Sequence, residues 1–472
     1  MLFESQDSSD LGRFLSAEAE VGRFDSHGDF TLDAPKAAKK LARFSMPHPY
    51  SWVLKLIQAA TSFGTDRITV EQSKTTTSFF FQLPPQKVPT PKDLVGTMLQ
   101  GKLESEEPLN RLCVALRAVV EQSGLSFVVG LRQAVKLETL YAGTYFSLLS
   151  DTERERHGAC PHPGIRVTVG HRTEWLVHRG PKGPRLSTKL HRKGIAEELH
   201  RHAFVTQVPL EIDGHQIGDP LQHPEFGFAA PLRPFLLLAL PSFEEEVLPL
   251  AGSFQNGLIV PLQASLERFK ERAPHPDSAG GWVLLQILDA EGYVAATTSS
   301  EVAKNYTFPS EALWVRDGVV IERWTLPLPT TKMMRLVLIL NSQGLETDLT
   351  GFSLLDTPAR KERIDYWTTS AKAAVRSIAY KQLDKLSLSP KTLHAKDKVA
   401  RRLARRRRLS KQILGMSPFA LLDPLLAVGL VAGGLFLQGV HHRFPDREKL
   451  EALEKAYSDD FKVSLLQLVG IG

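Results

Sequence analysis

A chain of 472 residues, 42% hydrophobic and 23% charged, has ordinary globular composition and is long enough for two or three domains. That composition excludes a disordered, collagen-like or disulfide-stapled chain, and with only Cys113 and Cys160 a reducing compartment fits best. The net charge of +6 is local: Lys396 to Lys411 holds nine Lys or Arg against one Asp, which leaves the rest of the chain at about −2.

The N-terminus, "MLFESQDSSDLGRFLSAEAE", leans acidic and has no apolar run behind a basic start, so it does not read as a secretory signal. "APKAAKKLARF" then sets Ala34, Ala37, Ala38, Leu41 and Ala42 at helical spacing. "WVLKLIQAATSF" predicts a helix with Val53, Leu54, Ile57 and Ala60 on one face, closed by Gly64, which suits a left-handed C-cap. "RITVEQ" and "TSFFFQ" read as strands, and "LPPQKVPTP" as a loop. A second helix, "EPLNRLCVALRAVVEQSG", leads into the strand "LSFVVGLRQ", with further strands expected at "TYFSLLS", "IRVTVGHR" and "FVTQVPLEID". Asp213-Gly214 predicts a hairpin turn.

After a proline-rich stretch from Pro220 to Pro241, "GWVLLQILD", "ALWVRDGVVIERWTL" and "MRLVLIL" predict a second α+β domain, followed by helices from Ala359 to Leu388. The expected organisation is α+β throughout. It comprises a flexible leader (1–25), a first domain (26–215), a second domain (216–355), a basic helical segment (356–412) and an apolar tail (413–472).

The order helix, strand, strand, loop, helix, strand, with "GIRVTVGHR", "IAEELHRHAFVTQVPLEI" and the "LIQAA" pattern on the first helix, resembles the GHKL superfamily. That superfamily holds the ATPases of gyrase B, the heat-shock-90 chaperones, mismatch-repair proteins and histidine kinases, and the chain most resembles bacterial chaperone-like members. The resemblance implies a GHKL-like sandwich followed by a transducer-like domain. It also implies a set of polar positions, and this chain departs from each.

The water-polarising glutamate and magnesium-holding asparagine of the first helix fall on Lys55 and Ala59, which offer neither a base nor a cation ligand. The adenine-reading aspartate and the glycines after it fall on Pro84, Gln86 and Val88 when Lys92-Asp93-Leu94 is the anchor. No glycine lies between Gly101 and Gly124, where a phosphate lid needs them, and Leu112 and Val114 stand there instead. Ile165 follows Gly164 where the family has threonine. The resemblance therefore implies a pseudo-ATPase without cofactor, acting as a scaffold or protein-interaction module. The alternative is an ATP- and magnesium-binding chaperone ATPase in which Asp66 or Glu71 does the missing work.

Other candidates carry less chemistry. His157, Cys160, His162 and His171 match no common zinc spacing, His191, His200 and His202 read as a surface helix face, and Cys113 as a small core residue. The basic run, with Arg401, Arg402, Arg405, Arg406, Arg407 and Arg408, precedes 17 uncharged, mostly apolar residues from Pro424 to Val440. Residues 396–440 therefore read either as a contact with an anionic membrane, in a cytoplasm-facing adaptor anchored to the inner membrane, or as a buried helix behind a solvated basic one. Nucleic acid ranks third, because no aromatic residues interleave the arginines.

Overall fold

The computed structural model describes residues 46–100, 107–171, 185–221, 223–227, 232–240, 250–251, 253–255, 258–260, 280–288, 307–348, 350–383 and 447–470. The leader, the helix expected at 34–44 and the basic and apolar runs of 396–440 lie outside the described residues. What is described is α+β, with two mixed sheets and helices packed on them.

Helix α1 (Trp52–Phe63) ends at Gly64, whose φ of 70° lets its N–H reach the Ala60 and Thr61 carbonyls. Strands β1 (Arg67–Gln72) and β2 (Thr76–Gln82) form an antiparallel pair. Helices α2 (Pro91–Gln100) and α3 (Pro108–Glu121) come next, then β3 (Ser126–Arg132) and β4 (Leu137–Ala142). The short helix α4 (Thr144–Ser147), α5 (Asp151–Gly158), β5 (Gly164–Gly170), α6 (Arg185–His202), β6 (Leu210–Ile212) and β7 (His215–Ile217) complete the first sheet region. Its strand order is β4-β3-β5-β2-β1-β6-β7, antiparallel except for the parallel β1/β6 pair. Phe79 and Phe81 of β2, Ile165 and Val167 of β5 and Ile68 and Val70 of β1 alternate into one core with α1, α3 and α6. On the opposite face Val128 packs with Tyr145 and Phe146.

The second sheet has the order β14-β13-β15-β12-β8-β9, from β8 (Leu232–Leu240), β9 (Leu250–Ala251), β12 (Gly281–Leu288), β13 (Glu311–Arg316), β14 (Val319–Thr325) and β15 (Met334–Asn341). Strands β10 (Ser253–Gln255) and β11 (Leu258–Val260) pair separately. Every residue of β12 is buried, because both faces of this sheet are covered. On one face lie Phe204, Val205, Leu221 and Phe226. On the other lie α7 (Pro358–Leu383) and α8 (Arg447–Val469), which contribute Ile364, Trp367, Ala371, Phe461 and Leu465.

Several local expectations need correction. α1 is buried all round from Trp52 to Ala60, not along one face, because it is enclosed by α3, α6 and β14 of the second sheet. "TYFSLLS" is not a strand: Gly143 at φ 91° ends β4, the Ser126 hydroxyl receives the Tyr145 N–H, and a Ser150/Glu153 capping box starts α5. In "FVTQVPLEID" only Leu210–Ile212 is strand, since Pro209 has no N–H for a ladder, although its carbonyl accepts from Ile68. The loop "LPPQKVPTP" contains a single 3₁₀ turn at Pro85–Lys87 and leads directly into α2. The stretch Pro220 to Pro241 contains β8, where Pro234 is tolerated beside a register shift at Leu285/Gln286.

Candidate functional site

Of the eight positions carried over from the GHKL pattern, five (Ala59, Val88, Leu112, Val114 and Ile165) belong to one buried apolar cluster. Ala59, Leu112 and Ile165 are 0% exposed, so this part of the fold is core and not cleft. Pro84 and Gln86 are exposed, and the 3₁₀ turn that Pro84 precedes and Gln86 belongs to serves α1 itself: the Lys87 ammonium donates to the Phe63 carbonyl at 3.3 Å, at the helix C-terminus.

Lys55 is only 9% exposed, and its Nζ sits 4.5 Å from the centroid of the Phe352 ring, in the segment between β15 and α7. Lys55 therefore presents a cation to an aromatic face in the segment that follows β15. Of the two acids that could substitute, Asp66 is exposed in the turn before β1, and Glu71 is 64% exposed and ion-paired with Arg166 at 2.8 Å.

The polar chemistry of the described residues gathers one turn further along α1, where the β13/β14 hairpin reaches α1 and α3. Gln58 Nε2 donates to the Arg316 carbonyl at 3.3 Å. Arg111, on α3, donates to the Ser62 hydroxyl and forms an ion pair with Asp317 at the hairpin tip. Arg316 turns back to donate to the Ser342 and Leu345 carbonyls at 3.1 and 2.6 Å. Arg363 of α7 donates to the Asn341 and Gln343 carbonyls at 3.1 and 2.8 Å. A cavity of about 230 Å³ opens among Ser62, Pro108, Arg111, Arg316, Asp317, Asn341 and Gln343. Alongside, His202 Nδ1–H donates to the Val320 carbonyl at 2.9 Å, so this histidine fastens α6 to the hairpin and is not part of a solvated face.

His157, Cys160, His162 and His171 do not converge. Cys160 Sγ lies against the Gly158 carbonyl, buried His171 pairs with Thr77 at 2.9 Å, and His162 is exposed. No group of three His, Cys, Asp or Glu able to hold a metal occurs among the described residues. Burial pushes the Cys113 thiol up to about 12 and that of Cys160 up to about 11, which leaves both as inert thiols at neutral pH. His200 is exposed and bonds its own helix at Ala196; the side chain of His191 and the six arginines from Arg401 to Arg408 lie outside the described residues.

The junction residues Gln58, Arg111, Asp317 and Gln343 escape the sequence reading. Asp317-Gly318 is legible as a turn, but nothing local marks an arginine 206 positions earlier as its partner.

No family model matches the chain, and no curated protein matches it. Among solved structures, one described as the crystal structure of the N-terminal domain of a DNA repair protein covers 70% of this chain and 96% of its own length. It does so at 9% identity and a TM-score of 0.31, a likeness too loose to assign fold or function.

Proposed function

We propose that the chain is a non-catalytic scaffold: a GHKL-like domain whose nucleotide and magnesium site has become core, fixed to a second α+β domain and acting by binding other proteins. The observation that carries this reading is the burial of Ala59, Leu112 and Ile165 in one cluster at the positions where an active relative would ligate. Lys55 adds to it. A protonated lysine under an aromatic ring cannot polarise a water, and its contact with Phe352 ties the would-be catalytic helix to the second domain. The Gln58 and Arg111 contacts hold the same two parts together, as suits a rigid platform better than a nucleotide-driven clamp.

The test is equilibrium binding of magnesium-ATP to the full chain, read by calorimetry and by melting temperature. The expected result is no magnesium-dependent heat and no shift. A saturable, magnesium-dependent rise that a bulky substitution at Ala59 abolishes would replace the scaffold with the ATPase alternative.

A further inference from the structure

Strand β4 closes one end of the first sheet, and its outer edge is open. A tight hairpin joins it to β3: the Gln133 N–H donates to the Lys136 carbonyl at 3.2 Å, and Arg132 lies opposite Leu137. Bonded residues alternate along an antiparallel ladder, so Glu138, Leu140 and Ala142 bond to β3, whereas Leu137, Thr139 and Tyr141 turn their N–H and C=O groups outward. Among the described residues nothing pairs with those outward groups. The other ends of the two sheets are the three-residue β7, the two-residue β9, and β14, which α1 and α6 contact. Apolar surface gathers at the open edge. Of the nine large hydrophobic side chains exposed among the described residues, six are here: Leu137 and Tyr141 on β4, Val135 in the turn before it, and Val95, Leu99 and Leu148 on or just after helices α2 and α4 that contact it. No proline and no unpaired charge guards this edge, since Lys136 is engaged with Glu138 at 2.7 Å.

We infer that β4 pairs edge to edge with β4 of a second copy of this chain, antiparallel and two-fold about Thr139, so that two first sheets join into one. The strand is complementary to itself in that register. Thr139 meets Thr139 of the second copy and Leu137 meets its Tyr141, so every outward N–H and C=O of these three residues finds a partner. Apolar–aromatic and Thr–Thr pairs are favourable across a ladder, and Glu138 falls opposite Leu140, so no like charges are directly opposed. The Arg154 guanidinium of α5, 4.2 Å from the centroid of the Tyr141 ring, already holds that ring on the face where Leu137 of the second copy arrives. The inference uses none of the positions on which the scaffold reading rests, so either can fail alone. Sedimentation velocity of the full chain over about 1–100 µM is expected to show a reversible shift from the 52.4 kDa monomer to a dimer. Thr139→Pro removes an N–H that the monomer leaves unused and sets a ring in the path of the second strand; it weakens dimerisation by about tenfold or more. Leu137→Lys, which spares the backbone, does the same and serves as the test if Thr139→Pro does not fold. Tyr366→Lys, at an exposed site on α7, keeps the wild-type dissociation constant. A monomer at every concentration would overturn the pairing, even if β4 accepts a strand from another protein, and so would a dimer that Thr139→Pro and Leu137→Lys leave equally tight.

Discussion

At the scale of single residues, two side chains give measurable signatures. Lys55 is held between α1 and the Phe352 ring with 9% of its surface exposed. Lys55→Met keeps the apolar stem and loses the cation–π contact, an expected cost of about 1 kcal/mol. Lys55→Glu supplies the acidic side chain that the proposed GHKL-like reading expects at this position but buries a carboxylate against an aromatic face. Its expected cost is on the order of 3 kcal/mol, without any gain of ATP hydrolysis. Urea unfolding of both variants checks the order, and Lys55→Glu as stable as Lys55→Met would mean that this position is open to water. His223 is packed on Phe204 and Phe226, and its protonation midpoint is pushed down to about 4, first by burial, with Arg323 adding to the shift and Glu225 opposing it. Burial lowers His202 in the same direction. Above the ordinary histidine value of 6.5 neither the folded nor the unfolded chain is protonated at His223. Between 6.5 and about 4 the unfolded chain takes up a proton that the folded chain refuses. Stability therefore falls as pH drops through that window and levels off below it. His223→Gln makes the melting temperature less steep in pH over that range; an unchanged slope would assign the pH dependence to other groups.

At the scale of elements, the hairpin between β13 and β14 connects the second sheet to α1, α3 and the segment after α6. Gly318 lies at its tip with φ 76°, and a Cβ there would be 2.7 Å from the Thr206 hydroxyl oxygen. Gly344 has φ 77° with nothing within 4 Å, so it isolates the backbone term. Gly344→Ala is expected to cost about 1 kcal/mol from φ alone, and Gly318→Ala about 1–2 kcal/mol more, because the hairpin must move off Thr206 in the segment after α6. Equal losses in melting temperature would show that the hairpin is not seated there. The elements also show what the sequence could and could not reveal. Helix α1, the β1/β2 pair, β5 and the hydrophobic strands β12, β13 and β15 were legible because periodicity and turn residues are local signals. Helix α2 went unread although Thr90, Pro91 and Asp93 form a start signal, with the Asp93 carboxylate accepting from the Thr90 N–H at 3.1 Å; three prolines just upstream masked it. "TYFSLLS" misled because its aromatic and β-branched residues mimic a strand, while the deciding partner, Ser126, belongs to another element. The apolar character of Ala59, Leu112 and Ile165 could be read in advance, but the junction cavity could not, because its walls come from four separate stretches of chain.

At the scale of the molecule, α7 and α8 dock on the same sheet and so constrain how the chain can meet a bilayer. α7 inserts Ile364, Trp367, Ala371 and Val375, and α8 inserts Tyr457, Phe461, Leu465 and Leu468, both at helical spacing into one core. The Tyr457 hydroxyl donates to the Leu288 carbonyl of β12 at 3.0 Å, and Arg376 of α7 donates to the Val469 carbonyl of α8 at 2.7 Å. Among the described residues no helix is long and apolar enough to cross a membrane. The apolar run from Pro424 to Val440 falls between these two docked helices in sequence. A single crossing there would carry α7 and α8 to opposite sides of the bilayer and strip both faces of their partners. The two buried native thiols leave a quiet background for a direct test with a membrane-impermeant maleimide. Tyr366→Cys on α7 and Val463→Cys on α8, at sites 56% and 51% exposed, are expected to label together or be protected together in sealed membrane vesicles. Labelling of one with protection of the other would mean that α8 leaves the sheet, and the docked arrangement described above would fail with it.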